Sequence, residues 1–185
     1  MTERYFISEK RNLKLKSIAL GLYFLQAPHL TKGEITMRIG NIECDDNEKI
    51  VYTIADDYCT CIENVYKKEN REFNREHYIV YFTYFVFVAR AAIGGLTKKI
   101  LDTMGNLVGQ KVGNGNDLDT FIGKRVYVDY MRKFTDMTGE ILDAEKIGQI
   151  VMSIEKEFNA PKGSKTGAAA QFTIEIFNNI QNYFK

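Results

Sequence analysis

The sequence predicts an all-α, single-domain helical bundle of about six or seven helices around a central apolar helix. Three observations lead there. From Tyr78 to Val88 every residue is aromatic, β-branched or Thr, and no other stretch of the chain is so apolar. The non-apolar side chains in and beside that run are Glu76, Thr83, Arg90 and Thr97, spaced by seven. Seven residues are nearly two whole helical turns, so these four share one narrow polar stripe, whereas a strand would put Thr83 and Arg90 on opposite faces. The neighbouring segments also repeat at helical spacing, which leaves a lone strand nothing to pair with. Residue propensity on its own favours a strand; periodicity decides for a helix over Arg75–Ile93. Asn74 is its N-cap, Gly94 and Gly95 stop or kink it, and one edge stays exposed along the stripe.

A membrane span is the rival reading of the same run. Tyr78 to Ala89 would be only about 18 Å long as a helix, against a hydrocarbon core of about 30 Å. Lengthening it brings in Arg90 and leaves tyrosines at mid-depth, where Arg costs about 2.5 kcal/mol or more.

The other elements follow in order. Leu13–Ala27 reads as a helix ended by Pro28. Residues Glu34–Ile39 fit either a short helix or an edge strand. Asp45 is placed as an N-cap with Glu48 three residues on, and the helix that follows puts Ile50, Ile54, Tyr58, Cys61, Ile62 and Val65 on one face. After the central helix comes a shorter one from about Thr97 to Val108. Gly109–Gly115 is a glycine-dense connection, and Asp117 opens a helix that uses Leu118, Phe121, Ile122, Tyr130 and Phe134. A helix over Asp143–Phe158 uses Ile147, Ile150, Val151, Ile154 and Phe158. Beyond the loop Asn159–Gly167, a last helix carries Phe172, Ile176, Ile180 and Tyr183.

The chain has 185 residues, a length suited to one domain with a real core, here 1–185. A net charge of +1 leaves no global footprint for nucleic acid or anionic membrane. Abundant Ile, Asn, Lys, Tyr and Phe without Trp suit an AT-rich gene, bacterial or mobile. Cys44, Cys59 and Cys61 have no disulfide framework spacing, and the N-terminal stretch lacks signal-peptide character, so a reduced cytoplasmic setting is expected.

Local motifs carry little chemistry. Cys59 and Cys61 lie two apart, which on a helix points them about 200° apart and away from a shared tetrahedral zinc; no metal and no cofactor is expected. Gly163–Gly167 lacks the glycine before lysine that a phosphate loop requires, and Lys162 and Lys165 read as a solvated loop. Ser153–Lys156 and Lys165–Gly167 echo two motifs of penicillin-binding enzymes without the third or the separation. Gly113–Asp117 is a turn leading into a helix rather than one repeat of a calcium roll. His29, beside Pro28, is expected to be structural. Arg71 and His77 have a spacing similar to that of HEPN-type RNases, which are also all-helical. That resemblance implies His77 as acid or base and Arg71 as a stabiliser of the phosphorane. The chain departs from the pattern at Glu72, where those enzymes carry a small polar residue.

Charge distribution says more. Between Glu34 and Glu63 eight acidic side chains face only Arg38 and Lys49, a local charge of −6. A second, weaker acidic stretch runs from Asp136 to Glu157. Capping accounts for Asp45, Asp46 and Glu48; Asp56, Asp57 and Glu63 lie past the first turn. The expected function is therefore non-enzymatic protein binding. Asp45, Asp46, Glu48, Asp56, Asp57 and Glu63 would dock a basic partner, as immunity or antitoxin proteins do by analogy of type. An RNase using Arg71 and His77 and a membrane-associated protein are the alternatives.

Overall fold

The computed structural model describes residues 37–39, 41–93, 98–138, 144–160 and 167–183. The expected Leu13–Ala27 helix and His29, Thr97, Asp143 and Lys162–Lys165 lie outside the described residues. Among the described residues, six packed helices form an all-α body preceded by a two-stranded ribbon. The elements are β1 (Met37–Ile39), β2 (Ile42–Cys44), α1 (Asp46–Lys68), α2 (Arg75–Ile93), α3 (Lys98–Val112), α4 (Asp117–Thr138), α5 (Ala144–Glu157) and α6 (Ala168–Tyr183). The strands pair antiparallel, Met37 opposite Cys44 and Ile39 opposite Ile42. The open choice for Glu34–Ile39 thus resolves to a strand at Met37–Ile39.

Helix α2 is the axis, touching each of the other five helices. Its bounds are those the periodicity predicts. Asn74 caps it: the Asn74 side-chain oxygen accepts the His77 amide at 3.1 Å. Burial runs without a break from Ile79 to Ala89. That corrects the expected exposed edge, because Thr83 is fully buried and donates its hydroxyl back to the Ile79 carbonyl at 2.7 Å. A hydroxyl that satisfies itself inside the helix needs no water, so this side too can be covered. Where α2 carries phenols, neighbours meet them. Tyr81 pairs with Tyr66 of α1 at 3.2 Å. Thr173 of α6 spends its proton on the Ala169 carbonyl, so the Tyr84 hydroxyl is the donor between those two side chains.

The core face of α1 lies roughly a quarter turn from the expected one. Val51, Ala55, Cys59, Ile62 and Tyr66 are buried, while Ile50 and Val65 sit at its flanks. Helix α5 buries Ile147, Ile150, Val151 and Ile154 as expected. Phe172 and Ile176 of α6 are buried too.

Gly109–Gly115 is only partly a connection. Helix α3 continues through Gly109 to Val112, and the turn is confined to Gly113–Asn116. Gly115 takes the positive φ of the turn, while Gly109 and Gly113 are there for close approach. A Cβ on Gly109 would stand 2.7 Å from the Thr120 carbonyl oxygen, and one on Gly113 would stand 2.6 Å from the Thr120 nitrogen. A Cβ on Gly123 would meet Val112 at 2.6 Å. α3 and α4 therefore touch backbone to backbone. Asn116, rather than Asp117, caps α4, accepting the Leu118 amide at 3.0 Å. The buried side of α4 uses Gly123, Tyr127 and Phe134, and Leu118, Phe121 and Ile122 face outward.

Substituting Gly109 by Ala is expected to destabilise the protein by about 1–3 kcal/mol, because the added methyl meets a carbonyl that cannot swing away. Gly148→Ala on α5, with open space around it, is expected to stabilise by about 0.5–1 kcal/mol. Urea denaturation of the two variants checks both signs.

Candidate functional site

The six acidic residues singled out in the sequence have three different fates. Asp45 and Glu48 form a reciprocal capping box. Asp45 accepts the Glu48 amide at 2.9 Å, and Glu48 reaches back to the Asp45 amide at 2.7 Å. Glu48 is 0% exposed, and its other oxygen accepts the Thr103 hydroxyl of α3 at 2.9 Å. Lys99 approaches Asp45 at 3.6 Å and Glu48 at 3.9 Å. Glu48 is thus spent inside the fold and is corrected from docking residue to interhelical tie.

Asp56 is half-buried and equally engaged. It accepts the Tyr78 hydroxyl at 2.8 Å and pairs with Lys111 of α3, whose ammonium also lies 5.2 Å from the Tyr78 ring centre. Burial, with the Asp56 charge and hydrogen bond adding to it, pushes the Tyr78 phenol far above its ordinary range. Tyr52, also desolvated and near Asp56, is raised to about 12. These phenols are held protonated, which suits anchoring and not nucleophilic attack. Glu63 pairs with Lys67 one turn on at 2.6 Å. Asp46 and Asp57 remain exposed. Eleven residues apart, they fall on one stripe of α1, about 16 Å apart along its axis. Glu43 is exposed on β2 just before them.

Arg71 and His77 come together around the same aromatic groups. The Arg71 guanidinium donates to the Phe158 carbonyl at 2.9 Å and lies 5.1 Å from the Tyr66 ring centre. The His77 ring packs 4.3 Å from Phe158 and 5.1 Å from Tyr66. Its Nδ1 stands 2.7 Å from the Asn74 side-chain oxygen. Burial pulls the His77 pKa below its ordinary value; Arg71 adds to that, while Glu76 and Glu72 oppose it.

Cys44 and Cys59 are buried free thiols and Cys61 is half-buried. Burial raises the Cys59 thiol well above its ordinary range, and it donates weakly to the Tyr78 carbonyl at 3.9 Å. Sequence reasoning missed Glu155, whose Oε1 is buried without a hydrogen bond of good geometry. Burial raises its pKa, and the Ala169 and Ala170 amides at the start of α6 partly offset that. The Glu155 carboxylate fills the space beside Gly167, where a Cβ would stand 1.8 Å from that oxygen and push the side chain aside. The Tyr127 hydroxyl is a second buried group without a partner among the described residues.

Among the described residues no helix is long and apolar enough to cross a membrane, which removes α2 as a span. In comparisons with known proteins, no family model, no curated protein and no solved structure matches this chain. The fold and surfaces define its class, an all-α helical bundle.

The lowered His77 pKa sets a direction for stability against pH. The unfolded chain takes up the proton first, so the contribution is fully present above the ordinary histidine value of about 6.5 and is lost as pH falls through the folded one. Glu155 acts in the opposite sense, stabilising below the ordinary carboxylate value and losing that as pH rises through its raised one. The denaturant midpoint at about pH 7.5 minus that at about pH 5.5 is expected to fall in His77→Phe and to rise in Glu155→Gln, relative to the unaltered protein.

Proposed function

We propose that the chain is a non-enzymatic protein-binding module, an immunity- or antitoxin-type inhibitor in a bacterial cytoplasm, that docks a basic partner through the outer face of α1. The observation that carries this reading is the exposed stripe of Asp46 and Asp57, with Glu43 next to it on β2. Asp45 and Glu63 lie at its margin, half-exposed and already facing cations. Carboxylates that project from a rigid helix attract a cationic surface from a distance and fix its register on contact. Their attraction is screened by salt, which gives the complex a recognisable signature.

A second reading is supported by the shared packing of Arg71 and His77 on Tyr66 and Phe158. A neutral histidine next to a fixed guanidinium suits general-base activation of a ribose hydroxyl. RNA cleavage by the purified protein that persists in His77→Ala would sink that alternative.

The docking reading predicts that a basic protein co-purifies at about 50 mM salt and is released at about 500 mM. The Asp46→Lys, Asp57→Lys double variant is expected to bind that protein at least about tenfold more weakly while keeping its helical circular dichroism. Retention unchanged by the double reversal, or no basic protein retained by the unaltered chain, rejects the α1 face as a docking site.

A further inference from the structure

The outer face of α4 has a composition that the acidic helix does not explain. Five of the large apolar side chains exposed among the described residues lie on α4, and the two most exposed there are Leu118 at 65% and Phe121 at 62%. Ile122 completes a set at i, i+3 and i+4, the spacing of side chains that enter a partner together. The opposite side of the helix is already used against α3 and α2, so this set contributes nothing to the core.

Charges flank the set in a particular order. Asp117 and Arg125 are both exposed and pair with no described residue, and each lies four residues from Phe121, one before it and one after. Residues four apart form a ridge on a helix, so Asp117, Phe121 and Arg125 stand in one row about 12 Å long, acid at one end and base at the other. Turn a second copy of that row by a two-fold axis through Phe121. Each Arg125 then lies opposite an Asp117, the two Phe121 rings meet on the axis, and Leu118 and Ile122 fill the grooves alongside. A row that is complementary to itself after a two-fold rotation is what an isologous interface requires. An unrelated acidic or basic partner would be met by only one end of the row and repelled by the other.

We propose that the N-terminal half of α4 pairs with the same segment of a second copy of this chain, with Phe121 on the two-fold axis and Arg125 facing Asp117 across it. A contact of this size buries well under the roughly 800 Å² per partner of a standard interface, so the dimer is weak, with a dissociation constant in the micromolar range or above. This interface uses no residue of the α1 stripe, so it stands or falls independently of the docking reading.

Sedimentation equilibrium of the full chain from about 5 to 500 µM is the measurement, with thermal unfolding of each variant to confirm that it folds. Phe121→Glu, at an exposed position, is expected to remain monomeric throughout. Asp117→Arg and Arg125→Asp, each alone, place like charges across the axis and are expected to weaken association at least about tenfold. Mixed in equal amounts, those two variants restore both opposite-charge pairs and are expected to dimerise as the unaltered chain does. An unaltered chain that is monomeric at every concentration overturns the proposal. So does a dimer that survives Phe121→Glu, a mixture of the two charge variants that stays monomeric, or capture of a different protein by this face while the chain itself stays monomeric.

Discussion

The structure depends on one constraint: a helix that is apolar on every side has to be surrounded. From Ile79 to Ala89 no residue of α2 is more than 2% exposed, so no single neighbouring layer suffices and the five other described helices all touch it. Covering a helix completely also means answering its few polar groups from within. Thr83 turns its hydroxyl to its own backbone, Tyr81 finds Tyr66, Tyr84 finds Thr173, and Tyr78 at the rim finds Asp56. Two of those bonds lead to α1 and one to α6, so the phenols of α2 fix how those two neighbours sit against it.

The polar ties on α1 follow from the same demand. Asp45 and Glu48 begin the helix as a local capping device, and Glu48 then reaches Thr103 of α3. Asp56 joins Tyr78 of α2 to Lys111 of α3. Lys99 and Lys111 of α3 thus meet Asp45, Glu48 and Asp56 of a segment that carries a charge of −6 as sequence, while Glu43, Asp46 and Asp57 are exposed. The charge is segregated by burial, and this gives the surface a direction.

How much of this was legible in the sequence depends on how far apart the deciding residues lie. Local devices read well: the Asn74 cap, the Asp45–Glu48 box and the bounds of α2 all involve residues within a turn or two of one another. Faces read less well. On α1 the choice of Ile50 and Val65 over Val51 and Tyr66 missed because tyrosine at 66 is buried for a partner, Tyr81, that only the tertiary structure supplies. On α4 Leu118, Phe121 and Ile122 have the helical spacing of a core face, while the real contact runs through Gly123, which has no side chain to register in any hydrophobic pattern. Of the candidate site, the positions of Asp46 and Asp57 were legible, but the cations of Lys99 and Lys111 were not, since both arrive from a helix about fifty residues away.

The glycine seam between α3 and α4 has a mechanical meaning. Most helix pairs are separated by a layer of side chains that can change rotamer and let one helix creep past the other. At Gly109, Gly113 and Gly123 that layer is missing, and main-chain atoms bear directly on their neighbours. The two helices are therefore locked against sliding and travel as one stiff piece. Lys111 sits on that piece, so the cation that holds Asp56 keeps its place only as long as the whole hairpin does.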